Sequence, residues 1–181
     1  MNTKQRILAF CILAASILVS GCGSTLGIGT PATGSNWGWE ITVDKVHKEA
    51  TLEDGLHNIT TPKTDFVFLV LEVTVSNFDS SQLHQEFPTN SIILITENGE
   101  SLAVNYIGTY QGSNKSPSSY FETRTLVSKE FGFFDEETNT FDKQTGAMAW
   151  VFTIDENETD QSFTLRFLDL PVIQDLKISQ D

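Results

Sequence analysis

The residues DFVFLVLEVTVSN, at positions 65–77, carry an apolar side chain at every second position from Val67 to Val75, and this constrains the fold more than any other feature of the chain. Side chains on an extended strand point to opposite faces with a period of two, whereas a helix repeats every 3.6 residues. Val67, Leu69, Leu71, Val73 and Val75 therefore share one wholly apolar face. The other face begins with Phe66, Phe68 and Val70 and turns polar at Glu72, Thr74 and Ser76. Such a strand is covered on both sides over its first half and solvated on one side over its second, which suits the centre of a β-sandwich.

The same period recurs. Residues 37–43 (WGWEITV) put Trp37, Trp39, Ile41 and Val43 on one face. Residues 91–104 (SIILITENGESLAV) read as a hairpin, with Asn98-Gly99 predicting a type I′ turn. Residues 147–155 alternate Met148, Trp150, Phe152 and Ile154 against smaller side chains, and residues 162–170 set Phe163, Leu165 and Phe167 against an outward Arg166. Weaker strands are expected at 106–110, 120–127, 130–134 and 172–178, and residues 112–119 (GSNKSPSS) read as a loop. No helical period emerges. The expected fold is an all-β, immunoglobulin-like antiparallel sandwich of about 7–9 strands. It would span residues 36–181 as a single domain. At roughly 140 residues it buries about two thirds of its unfolded surface and requires no disulfide.

Ahead of this domain lies a different kind of sequence. Lys4 and Arg6 give a positive start, residues 7–19 (ILAFCILAASILV) are predominantly apolar, and Ser20-Gly21 places small residues before Cys22. That is the layout of a secretory signal, and the apolar run is too short to span roughly 30 Å of hydrocarbon. Leu18-Val19-Ser20-Gly21-Cys22 resembles a bacterial lipobox. The resemblance implies a signal peptide at residues 1–21, cleavage before Cys22, and lipid on the Cys22 thiol. Two or more acyl chains give a stable membrane anchor. The expected location is thus a membrane, on its extracytoplasmic side.

Cleavage there leaves 9 basic against 24 acidic residues, a net charge of −15. A surface of that sign repels nucleic acid, which is not an expected partner. Cys11 leaves with the leader and Cys22 is consumed by lipid, so no free thiol remains for redox chemistry. Residues 23–35 (GSTLGIGTPATGS) are uncharged and rich in Gly, Ser and Thr, and complete a flexible tether over 22–35. Its reach is roughly 20 Å, enough for an acidic domain to stand off an anionic leaflet.

The succession of W-x-I-x-V, FLVLEVTVSN, IILITENGESL, AWVFTID and FTLRF resembles a family of bacterial extracellular domains of unknown function. Its members are often lipoproteins with an immunoglobulin-like fold, related to a secreted actinobacterial immunoprotective antigen. The resemblance covers about residues 37–168 and implies a fold but no catalytic residues. The chain departs from the family pattern at Thr145-Gly146, where a Pro-Gly turn is usual, and at Asp155, where Pro often follows the Val-Phe pair.

Catalytic machinery is not legible. No G-x-S-x-G elbow or S-x-x-K pairing occurs. His47, His57 and His84 lack the i, i+4 spacing that aims two imidazoles at one metal, and read as surface or loop residues. Met148, on the inward parity, reads as core. Residues 135–142 (DEETNTFD) and 155–160 (DENETD) concentrate the oxygen ligands that calcium prefers. Asp155, Asn157 and Thr159 echo the start of an EF-hand loop, but Asp160 stands where Gly is needed and Arg166 where Glu is needed. Solvated acidic turns are the simpler reading, with no cofactor and no metal expected. Three Asn-x-Ser/Thr sequences, at Asn58, Asn114 and Asn157, are treated as chance. The function these features favour is a lipid-anchored envelope protein with a non-catalytic interaction module, bound to a protein or envelope polymer. The alternative is a calcium-dependent adhesion or sensing domain using the acidic loops.

Overall fold

A computed structural model describes residues 26–34, 38–54, 57–77, 87–110, 117, 119–122, 133–135, 140–143 and 145–179, the two segments at 133–143 through their backbone alone. Cys22, Trp37, His84 and the leader lie outside the described residues.

The strand predicted at 65–77 forms as Phe66–Asn77 (β5) and lies at the centre of the molecule. On one side it pairs antiparallel with Trp39–Glu49 (β2), and on the other with Thr145–Asp155 (β12). The β5–β12 ladder runs without interruption from Ser76↔Thr145 to Phe66↔Asp155. Beyond β12 come Tyr106–Thr109 (β8) and Ser119–Glu122 (β9), and Ala32–Thr33 (β1) pairs with the outer side of β2. The order β1-β2-β5-β12-β8-β9 makes a six-stranded sheet. The second sheet has the order Ile173–Leu176 (β14), Phe163–Phe167 (β13), Ile92–Ile95 (β6) and Ser101–Ala103 (β7). Two ribbons complete the described strands: Thr51–Asp54 (β3) with His57–Thr60 (β4), and Phe133–Asp135 (β10) with Thr140–Lys143 (β11).

This is an antiparallel β-sandwich. The succession β2-β5-β12-β8 facing β14-β13-β6-β7 follows the ABED and GFC layout of immunoglobulin domains, with β7 in the place of C′. The expected seven to nine strands correspond to these eight. Of the remaining strands, β9 and β10 overlap the weaker strands expected at 120–127 and 130–134, whereas β1, β3, β4 and β11 were not expected, because strands of two to four residues carry too few positions to show a period.

The core between the sheets is built from the residues that the period of two selects. Trp39, Ile41, Val43, Leu69, Leu71, Val73, Trp150, Phe152, Leu165 and Phe167 are all buried in one cluster. Phe167 joins the sheets: its ring centroid lies 5.7 Å from Trp39, 5.9 Å from Phe87 and 5.3 Å from Trp150. Edge-on and offset contacts of this kind add to the area that the rings bury. A second, smaller core lies on the outer side of the large sheet. There the β3–β4 ribbon lays Leu52 and Ile59 over Phe68, Val70, Ala149 and Val151. The ribbon supplies the cover that the apolar first half of β5 demands.

Three local features depart from the sequence reading. First, parity in β2 breaks at Asp44. Val43 pairs with Val73 and Lys45 with Glu72, so Asp44 is an extra, bulged residue. Its Oδ2 accepts a hydrogen bond from Thr74 Oγ1 at 2.7 Å, and the shift turns Val46 inward. Second, the β6–β7 hairpin does not use a type I′ turn. Gly99 has a φ of 83° but Asn98 does not enter the positive region, which type I′ requires. Thr96 N donates to Glu100 O and Gly99 N to Thr96 O, both at 2.9 Å, closing a three-residue loop. The cause is Thr96, whose Oγ1 accepts from Glu100 N at 3.1 Å and stabilises the wider closure. Third, residues 26–34, read above as tether, belong to the sandwich. Ala32 is fully buried, Leu26 packs on the core and bridges Ile173, and Gly29 N donates to Val43 O at 2.8 Å. The folded unit begins by Leu26.

Trp150 is fully buried, and its indole Nε1 has no hydrogen-bond partner among the described residues. Trp150→Ala is expected to cost about 3–5 kcal/mol in denaturant unfolding, the range for deleting a large core aromatic. Trp150→Phe should cost clearly less, because it also removes an unsatisfied buried donor.

Candidate functional site

Two surfaces bring together side chains that could meet a ligand. The first is the outer face of the six-stranded sheet, beside the small core. The bulge at Asp44 sets the parity of β2 so that His47 and Glu49 point to this side, next to Glu72 of β5. His47 Nε2 lies 3.6 Å from Glu49 Oε1, and His47 Nδ1 lies 3.6 Å from Glu72 Oε1. His47 is half-buried, unlike the exposed His57 on β4, and the two are not brought to one centre. Tyr106, Tyr110 and Tyr120 pack against the apolar cluster, Tyr106 edge-on to Phe68 at 5.9 Å. Tyr120 sits directly across from Gly108, and a Cβ at that glycine would come within 2.8 Å of the tyrosine ring. The bare glycine is what lets the ring lie flat over β8. Asp54 Oδ1 accepts from Tyr120 N at 3.1 Å, which ties the β3–β4 ribbon to β9.

Burial and the surrounding carboxylates hold both outer phenols in their neutral form. The Tyr120 hydroxyl is pushed from 10.0 up to about 12, mainly by burial, then by the charges of Glu49 and Glu72. Tyr110 is raised further by the same causes, burial first and Glu72 next. As pH climbs past 10, an unfolded chain releases phenolic protons that the folded chain still holds, so stability falls with rising pH. An alkaline titration should show a loss of thermal stability between about pH 10 and 12, coincident with tyrosinate absorbance. Tyr110→Phe and Tyr120→Phe should each make that decline shallower. An unchanged slope would show that the phenols are not held neutral.

The second surface is a cleft of about 270 Å³ at the end of the sandwich where β5 begins and β12 ends. Phe66, Leu102 and Ile154 form its apolar part, and Glu100, Asp155 and Glu158 supply carboxylates. It includes part of the acidic stretch 155–160. That stretch is a closed 3-10 turn in which the side chains of Asp155, Asn157 and Thr159 bond within the turn. Asp155 Oδ1 accepts from Asn157 N at 2.9 Å and from Asn157 Nδ2 at 2.8 Å, and Thr159 Oγ1 donates to the carbonyl of Glu156 at 2.9 Å. Asn157 thus holds the Asp155 carboxylate through both its backbone and its side-chain N–H groups. In the other acidic stretch, 135–142, residues 136–139 lie outside the described residues and the rest are described through their backbone alone. Strand β12 runs between the two stretches and ends on Asp155, the first residue of the second. Among the described residues, no three His, Cys, Asp or Glu side chains group so as to hold a metal ion.

Sequence reasoning did not foresee either surface. Glu72 was legible as an outward carboxylate, but its meeting with His47 depends on the bulge. The cleft draws Glu100 from the β6–β7 loop and Glu158 from the 3-10 turn after β12, for which no local pattern exists.

No protein-family model matches the chain, and no curated protein matches it. Among solved structures, it is similar to an uncharacterised β-sandwich protein from Clostridium difficile 630. The TM-score is 0.51 at 13% identity, over 83% of this chain and 92% of that one. The likeness defines the class as a β-sandwich and extends to the fold alone.

Proposed function

We propose that the chain is a cell-envelope lipoprotein, anchored through lipid on Cys22 and facing the extracytoplasmic side, whose immunoglobulin-like sandwich is a non-catalytic interaction module. The observation that carries this reading is where the two parts of the chain meet. The lipobox-like sequence ends at Cys22, and the folded unit is under way by Leu26, whose carbonyl accepts from Gln174 N at 2.8 Å. Leader and fold thus adjoin with almost nothing between them, as in a chain that is cut and fastened at that cysteine. The partner is a protein or an envelope polymer. The acidic balance of the chain weighs against nucleic acid. The kinship with secreted immunoprotective antigens belongs to this reading too, and is supported by strand patterns alone.

Metabolic labelling tests the anchor. Wild-type protein expressed in a bacterium should incorporate radiolabelled palmitate, and Cys22→Ser should incorporate none. Equal labelling of the two would remove the lipid reading. The module is tested by crosslinking in intact cells, where a specific captured partner is expected.

The alternative, a calcium-dependent adhesion or sensing domain, rests on the acidic stretches. The internal hydrogen bonds of the 155–160 turn weigh against it. Millimolar calcium should therefore leave the melting temperature unchanged. A binding ligand would instead raise it by mass action, and such a rise would favour the calcium domain.

A further inference from the structure

We propose that the sandwich stands edge-on against the membrane, with the lateral edge formed by residues 26–29 and β14 at headgroup level. This rests on the lipidation of Cys22 proposed above. Four peptide steps separate Cys22 from Leu26, so even a fully extended chain places the lipid attachment within about 14 Å of Leu26. Leu26 cannot drift from the domain. It is bridged to Ile173 of β14, its side chain packs on the core, and three residues later Gly29 N donates to Val43 O on β2. The chain is therefore fastened to both sheets almost as soon as it leaves the anchor. A stand-off over a thirteen-residue linker is not available to it, because most of that linker is sandwich.

A second observation points to the same edge independently. Among the described residues, the exposed large hydrophobic side chains are Ile28, at 43% exposure, and Val172, at 38%. Singly exposed aliphatics need no explanation. Here, however, both lie within two residues of one contact, the Leu26–Ile173 bridge. Surface aliphatics gathered at the point of lipid attachment suit a bilayer interface, where each withdraws apolar area from water. Charge opposes a closer approach, since Asp169 and Asp175 are exposed nearby and the whole domain is acidic. That repulsion is screened over about 8 Å at physiological ionic strength, whereas the anchor is covalent. Contact is thus confined to the edge at the anchor, and the sheets rise away from it. In the order β14-β13-β6-β7, the far strand β7 stands three interstrand spacings above β14, roughly 14 Å.

The test uses the mature lipidated protein in vesicles of phosphatidylethanolamine and phosphatidylglycerol. Because Cys22 carries lipid and Cys11 is lost with the leader, Ile28→Cys, Val172→Cys and Ala103→Cys each introduce a single reactive thiol. Ala103 is exposed on β7 and serves as the distal position. With an environment-sensitive fluorophore on each, a headgroup nitroxide lipid should quench positions 28 and 172 at least about twofold more than position 103, given their different heights. Equal quenching at all three, in protein that carries palmitate and floats with the vesicles, would overturn the edge-on arrangement and leave the anchor standing. Wild-type protein that takes up no palmitate would overturn both.

Discussion

The register of β5 against β12 is the constraint on which the rest of the structure depends. These strands pair over eleven residues without a break, and each also serves a further neighbour, β2 on one side and β8 on the other. Because side chains alternate, a slip of one residue would exchange the two faces of the ladder. Trp150, Phe152 and Ile154 would leave the main core, and Ala149 and Val151 would enter it. The main core needs the large residues to reach Phe167 of the facing sheet. The outer cluster needs the small ones, because the β3–β4 ribbon and three tyrosines lie close over them. Both faces thus specify the same register, which makes it far better determined than in a sheet with one solvated side.

What was legible in the sequence follows from this. Strands long enough to show several turns of the period, β2, β5, β12 and β13, were readable because burial on a defined face imposes it. The change from apolar to polar along the outer face of β5 matches its burial in part: Phe68 and Val70 are buried with the ribbon's Leu52, and Glu72 and Thr74 are half-exposed, but Ser76 is buried again. Features set by one or two residues were not readable. The bulge at Asp44 looks in sequence like a lapse of alternation, and only the hydrogen bond to Thr74 shows what it achieves. The turn at Gly99 was misassigned because Asn-Gly is a strong signal on its own, and the deciding hydroxyl of Thr96 lies outside it. A Gly- and Thr-rich composition made residues 26–34 look like a linker. Their order comes from backbone pairing and one buried alanine, neither of which composition reports.

The candidate surfaces were less legible than the fold, for a related reason. A core residue is marked by its own apolarity and parity, whereas a site is marked by convergence. His47 meets Glu72 across a strand pair, and Glu100 and Glu158 line one cleft from two separate loops. The acidic stretch 155–160 shows the reverse error, since residues that look like ligands in sequence are spent on a turn. Asp155 caps the 3-10 helix at Glu156–Glu158, and the oxygen spacing that suggested calcium is the spacing of a cap.

Residues 26–34 also resolve a difficulty that every open sandwich faces. An unpaired edge strand is a template for pairing with another chain. Along β2, that edge is covered by Ala32–Thr33, by Gly29 at Val43, and by Ser179, whose N donates to Val46 O at 2.8 Å. Along β14, Leu26 takes the same role. The segment 26–34, joined at β2 by Ser179, thus caps the same lateral edge of both sheets. On a lipid-anchored protein this is the edge that needs it most. Confinement to a membrane raises the local concentration of neighbouring copies and holds their anchored edges at one height. Edges left open there would meet side by side and in register, the geometry that favours strand addition. The stretch that would tie the domain to its lipid therefore has a second task in the fold, and the backbone order that would keep such a tether short also keeps this edge closed.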